Sequence, residues 1–276
     1  METLVQPDTA LLETVRRARV RANTLALWYT GGAGYILRSA GATILIDPFL
    51  GPSNPPHWMR AIPPAFDPER VEELGQIDAV LLTHEHGDHA DPVALDPLGR
   101  RTLAIVGGPE SCIAVAREAG FPLDRCLVLA HDELLHVGDV RVTAVAMHDP
   151  AAKGCNGYVI ESGDVTLLHC GDSVYFSGFL ELGKRWAFDA ICLSVAANPP
   201  GRAIYMDEVD AARAARDAGT RILIPQHFDL WQGFTLDPRR VTIAAGWYCP
   251  EVQVRPARFC RRLTIEPDIS KRAEND

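Results

Sequence analysis

The sequence predicts an α/β (α+β) protein arranged as a four-layer αββα sandwich. Three observations carry that reading. Apolar runs of strand length recur along the chain, a block of close-set β-rich runs followed by strand and helix units occurs twice, and no linker or low-complexity tract separates the two halves. At 276 residues, 47% hydrophobic and 23% charged, the chain can bury a core for both sheets, so 1–276 is expected to form one domain with a helical N-terminal segment over about 1–23.

Taken in order, an amphipathic stretch over roughly 8–21 predicts the first helix. The runs "TLALWYT", "GYILRSA" and "ATILIDPF", separated by "GGAG" and "AG", predict a hairpin meander. "GPSNPPHWMRAIPPAFDPER" holds six prolines in twenty residues and predicts a long ordered loop, since proline suits neither a helix interior nor a central strand. The strands "AVLLTH" and "TLAIVGG" follow, then a helix near 109–119. The β-rich pattern then restarts with "VRVTAVAMH", "GYVIES" and "VTLLHCGD". The second half continues with "AICLSVA", an acidic-starting helix "MDEVDAARAARDAG", the strand "RILIPQH", a helical stretch near 237–246 and a terminal strand region "EVQVRPARFCRRLTIEP".

Composition narrows the function classes. A net charge of −9 argues against a general affinity for nucleic acid or anionic membranes. No run reaches the length of a membrane span and the N-terminus lacks a signal-peptide core, so a cytoplasmic location is expected. The seven cysteines are odd in number and contain no C-x-x-C pair, which predicts buried apolar residues and neither a disulfide framework nor a zinc ribbon.

One stretch carries chemistry. "THEHGDHAD", residues 83–91, sets His84, His86, Asp88 and His89 directly behind a strand. Period-two geometry lets His84 and His86 point the same way, and the turn brings Asp88 and His89 toward the same point. Groups crowded in this way are poorly solvated and mutually frustrated unless a cation joins them. An H-E-x-x-H reading fails, because the residue four beyond His84 is Asp88 and the motif follows a strand. Further donors close other apolar runs: His148 ends "VRVTAVAMH", Asp172 follows "LLHC", and His227 ends "RILIPQH".

"THEHGDH" resembles the signature of the metallo-β-lactamase superfamily. Within it, "WYTGGAGYILRSAGATILIDPF", "QIDAVLLTHEHGDHAD", "LLHCGDSVYFSGF", "NPPGR", "ILIPQHFDLWQGFTLDP" and "LTIEPD" are similar to the L-ascorbate-6-phosphate lactonase branch over about 27–268. The resemblance implies that His84, His86 and His148 hold one metal, that Asp88, His89 and His227 hold a second, and that Asp172 bridges them. It implies a metal-dependent hydrolase in which Asp88 orients a metal-bridging hydroxide, acting on a small anionic lactone or other ester. Two divalent ions are expected, with Mn²⁺ favoured by the lactonase resemblance, while Zn²⁺ and Fe²⁺ accept the same donors. Self-association is implied by the same relatives. This chain looks shorter than the lactonase between Asp47 and Thr83 and around 149–157, and "AMHDP" departs from the lactonase pattern.

Secondary candidates surround the motif. Asp47 in "LIDPF" is placed as a partner of a metal-bound histidine or as a turn former before Pro48. Asn198 and Arg202 in "NPPGR" are candidate anchors for a phosphate or carboxylate, and Asp229 and Trp231 are candidate pocket residues. His169 is expected to be buried and hydrogen-bonded, and His57, His131 and His136 to be non-ligands. The alternatives to a lactonase-like hydrolase are a phosphodiesterase acting on a small phosphodiester or nucleic acid, and a non-catalytic metal-binding protein.

Overall fold

The computed structural model describes residues 10–51 and 60–268; His57 lies outside them. Its strands are β1 (Leu25–Gly31), β2 (Gly34–Arg38), β3 (Thr43–Ile46), β4 (Ala79–Leu81), β5 (Ile105–Gly108), β6 (Cys126–Val128), β7 (Leu134–Val137), β8 (Val140–Ala146), β9 (Asn156–Ser162), β10 (Val165–His169), β11 (Ala190–Ser194), β12 (Ile222–Gln226), β13 (Gln253–Val254) and β14 (Arg262–Ile265). Its helices are α1 (Leu11–Arg17), α2 (Pro92–Arg101), α3 (Glu110–Glu118), α4 (Gly178–Arg185), α5 (Glu208–Asp217) and α6 (Arg239–Tyr248).

The strands form two seven-stranded sheets, ordered β14-β1-β2-β3-β4-β5-β6 and β13-β12-β11-β10-β9-β8-β7. In each sheet an antiparallel part passes into a parallel part, at β3 to β6 and at β10 to β13. Leu27, Leu37 and Ile44 from the first sheet pack with Val142, Ile160, Leu167 and Ile224 from the second, all buried, forming the layer between the sheets. On the outer faces, α1, α2 and α3 cover the first sheet through Leu12, Leu95 and Ile113, and α4, α5 and α6 cover the second through Phe179, Ala211 and Val241. The four layers follow from strands apolar on both faces, which demand cover on each side. The expected αββα sandwich is the observed fold.

Local chemistry explains the elements. Helix α5 starts where Asp207 accepts hydrogen bonds from the Val209 and Asp210 amides, both at 2.9 Å, and buries its Ala211, Ala212, Ala214 and Ala215 face. Two helices escape the sequence reading. Helix α2 has Pro92 at its first turn and Pro97 inside, so proline masks a segment that buries Ala94, Leu95 and Leu98 and is capped by Asp91. Helix α4 falls between "VTLLHCGD" and "AICLSVA", a stretch for which the sequence reading names no element. The expected terminal strand region divides instead: β13 joins the edge of the second sheet and β14 the edge of the first. All seven cysteines are free, and only Cys126 is less than buried. Among the described residues no helix is long and apolar enough to cross a membrane.

Candidate metal centre

The parallel strands place the chemistry. Asp47 follows β3, His84 follows β4, Asp172 follows β10 and His227 follows β12, so donors from both sheets leave the carboxyl ends of parallel strands on one side of the sandwich. Asp47 and His227 both have positive φ, 41° and 66°, a left-handed conformation that costs a non-glycine residue energy and aims its side chain off the strand path. Gly171 (φ 55°) lets the Asp172 loop close on the motif, because a Cβ there would lie 2.6 Å from the Thr83 side chain.

Two donor groups result, the ligand atoms of each lying within 4.8 Å of one another: Asp88, His89, Asp172 and His227; and His84, His86 and Asp149. In the first, His227 Nε2 lies 3.2 Å from Asp88 Oδ2 and 3.5 Å from Asp172 Oδ2, while His89 Nε2 lies 3.4 Å from Asp172 Oδ2. In the second, His84 Nε2 lies 2.8 Å from His86 Nδ1, and each of these nitrogens lies 3.4 Å from Asp149 Oδ2. Asp172 faces both groups electrostatically, acting on His84 as well as on His89 and His227.

Burial gives these contacts their weight. His84, His89, Asp172 and His227 are at most 4% exposed. Burial and the charge of His89 push the His84 pKa down to about 3, so that imidazole stays neutral with its lone pair available. Burial also opposes charge on His89, but Asp172, Asp47 and Asp88 outweigh it and raise the His89 pKa well above its ordinary value. Asp172 is likewise held far below the carboxylate range by His227 and His89 despite its burial. The surrounding carboxylates therefore favour positive charge on His89 and His227, raising both imidazole pKa values despite their burial. A divalent cation meets the same carboxylates with greater charge, and His89 Nε2 and Asp172 Oδ1 are buried without a hydrogen-bond partner among the described residues. The donor set fits a metal pair.

Asp47 is fully buried beneath this centre. Its Oδ2 lies 2.7 Å from His89 Nδ1 and accepts from Thr83 Oγ1 at 2.6 Å, while Oδ1 accepts from the Thr83 amide at 2.8 Å. Such a carboxylate fixes the imidazole so that Nε2 faces the centre.

His148 is not part of either group. Its side chain is exposed, 6.4 Å from the Phe176 ring, and its backbone is tied to the Ser173 hydroxyl and the Val174 amide. Expected to complete the first metal's ligands, His148 is not brought to His84 and His86 in this structure; the Asp149 carboxylate lies beside them. Past the end of β8 the His148 backbone is held by Ser173 and Val174 with its ring outward, and the chain turns the next side chain, Asp149, onto His84 and His86.

The remaining candidates separate cleanly. A cavity of about 420 Å³ opens over the centre, lined by His86, Asp88, Asp149 and Asp172 and walled by Pro199, Ile204, Tyr205, Trp231 and Phe234, with Arg202 at its rim. Trp231 donates from Nε1 to Asp88 Oδ2 at 3.3 Å. Asn198 does not line the cavity: its Oδ1 accepts from the Ile204 and Tyr205 amides and its Nδ2 donates to the Tyr205 carbonyl. Asp229 turns to accept from the Tyr29 hydroxyl at 2.6 Å and is likewise no lining residue. His169 is fully buried and bonded to the Ala33 carbonyl, and His131 lies against the Cys155 carbonyl.

Tyr205 escaped the sequence reading. Pinned by Asn198, it lays its ring 5.0 Å from that of His227, and burial together with Asp172, Asp88 and Asp149 pushes its hydroxyl pKa far up. A signal existed in the loop "NPPGRAIY" ahead of Met206, which pairs with Val195 and returns the loop to the sheet.

A family model described as "Beta-lactamase superfamily domain" matches residues 42–228. The chain is 27% identical to the probable L-ascorbate-6-phosphate lactonase UlaG of Salmonella choleraesuis, over 88% of this chain and 80% of that one. Among solved structures, a possible metal-dependent hydrolase from Veillonella parvula superposes with a TM-score of 0.72 at 17% identity, covering 88% of this chain and 99% of the other. An isothiocyanate hydrolase from Delia radicum gut bacteria superposes at 0.70 and 20% identity, covering 86% and 98%.

Proposed function

Because the chain belongs to the metallo-β-lactamase superfamily, near its L-ascorbate-6-phosphate lactonase branch, we propose that it is a metal-dependent hydrolase opening a small anionic lactone or related ester. The observation that carries the reading is the convergence of two donor groups beneath one cavity. His84, His86 and Asp149 would hold one divalent ion, Asp88, His89 and His227 the second, with Asp172 shared. When bound, the pair supplies a nucleophilic water at neutral pH and polarises the scissile oxygen. With Asp149 in place of a third histidine, each ion would be offered two imidazoles and an unshared carboxylate, an oxygen-rich set that suits manganese or iron better than zinc.

The chain's own residues divide the remaining work. Asp88, held by Trp231 and His227, faces the cavity and orients the attacking water. The apolar walls keep bulk water from the scissile bond, and Arg202 offers a two-pronged cationic anchor to a phosphate or carboxylate on the substrate. Tyr205 keeps its proton and donates a hydrogen bond to the oxyanion as it develops.

The test loads the protein with Mn²⁺, and separately with Zn²⁺, and assays phosphorylated and carboxylated lactones beside bis-p-nitrophenyl phosphate. Lactone turnover is expected, fastest with Mn²⁺. Tyr205→Phe should lower kcat by about 100-fold while leaving KM within about threefold. Faster cleavage of the phosphodiester than of any lactone would move the site to phosphodiester chemistry. No turnover anywhere in the panel, with two ions bound, would remove the hydrolase reading.

A further inference from the structure

A second cavity, about 520 Å³, is lined by Arg19, Arg21, Arg221, Arg255, Arg262 and Glu266, with the hydroxyl-bearing Thr24 and Thr264 between them. It lies at the far end of the sandwich from the donor cluster. Ile222, which begins β12, lines it, while His227 follows the other end of that strand, roughly 17 Å away at strand rise. The arginines come from separate places: the segment after α1, the start of β12, the residue after β13, and β14. Both sheets therefore contribute to one concave surface.

Charge makes the gathering unusual. The chain carries a net −9, yet among the described residues five guanidinium groups share this cavity with a single lining carboxylate. Glu266 pairs with Arg21 at 3.0 Å, and Asp189 lies 3.5 Å from Arg221. The others have weaker company among the described residues: Arg255 donates to the Gln253 side chain, Arg262 lies over the Trp28 ring at 5.5 Å, and Arg19 has no ion pair. Arg221 Nε is buried with no acceptor among the described residues. Like charges brought together in a cleft repel each other and focus a positive field outward. The lining is dominated by donors, and arginine forks match tetrahedral oxyanions two oxygens at a time.

We propose that this cleft is a binding site for a small, multiply charged phosphorylated anion, separate from the metal centre. Three guanidinium groups without a carboxylate partner among the described residues call for a ligand bearing at least two negative charges and several acceptor oxygens. The net negative charge of the chain favours a small anion over a nucleic-acid strand.

The test titrates inorganic pyrophosphate into the full-length, metal-loaded protein by calorimetry, at ionic strength held constant with KCl, with citrate titrated in parallel. Saturable binding of one pyrophosphate per chain is expected, tighter than citrate. It should weaken at least tenfold in Arg255→Ala/Arg262→Ala and persist in Asp172→Ala, whose metal centre is broken. Arg255→Gln, which spares the packing of Arg262 on Trp28, should weaken binding in the same direction should the double variant not fold. Binding lost in Asp172→Ala but kept in the arginine variants would place the anion at the metal centre and overturn the proposal. Equal affinity for citrate would remove the phosphate assignment, and heats no larger than those of KCl would remove the site. None of these outcomes depends on whether the metal centre hydrolyses a lactone.

Discussion

Asp172→Ala is expected to abolish turnover, by at least about a thousandfold, and to lower bound metal from about two ions per chain to one or fewer, with the circular dichroism spectrum retained. Loss of a partner that merely orients a ligand costs about 10- to 100-fold, and Asp172 stands closer than that. Its carboxylate faces His89 and His227 directly and acts on His84 across the gap between the two donor groups. It is also the residue for which Gly171 surrenders a side chain, so that its loop can reach the motif. The framework beneath it is independent of that carboxylate. The intersheet core of Leu27, Leu37, Ile160, Leu167 and Ile224 makes no use of Asp172, and Asp47 continues to hold His89 through Nδ1. Elemental analysis together with rates on the best lactone of the panel checks the expectation. Full activity, or two ions still bound, would take Asp172 out of its shared position.

What the sequence disclosed divides along physical lines. Strands apolar on both faces, such as Ala26–Tyr29 and Ala190–Leu193, announce a sheet covered on each side, and their repetition in two blocks announces two sheets. Donors clustered within a few positions are equally visible, since local geometry alone brings His84, His86, Asp88 and His89 together. Asp172 and His227 stood out as polar residues at apolar strand exits. Helix α2 was hidden, because Pro92 reads as a break until the Asp91 cap and the buried Leu95 face are seen together. Tyr205 was hidden for a different reason. Its place over His227 depends on the Asn198 hydrogen bonds that fold the intervening loop, so a side chain named as a candidate anchor is tied to the loop backbone and positions another. The basic cavity was invisible because its arginines meet only when the segment after α1, β12, β13 and β14 converge. A net charge averaged over the chain conceals it.

The sharpest distinction lies between two adjacent residues. Asp149→Ala is expected to lower bound metal from about two ions to about one and to cut turnover by at least about a hundredfold, while His148→Ala leaves both within about twofold. The chain's own geometry sets the difference. The Asp149 side chain is 7% exposed and lies 3.4 Å from both His84 and His86, whereas the His148 ring is exposed beside Phe176 with only its backbone engaged. Both residues lie past the end of β8, where the Ser173 and Val174 contacts fix the His148 backbone, so bringing the His148 ring onto the motif would require that segment to rearrange. Asp149→His separates identity from position. If the site merely needs a donor, this variant keeps two ions but exchanges an oxygen for a nitrogen, so its preference in a competition between Mn²⁺ and Zn²⁺ should move toward zinc. If His148→Ala instead loses an ion while Asp149→Ala does not, the backbone must rearrange when metal binds, and the carboxylate assignment fails.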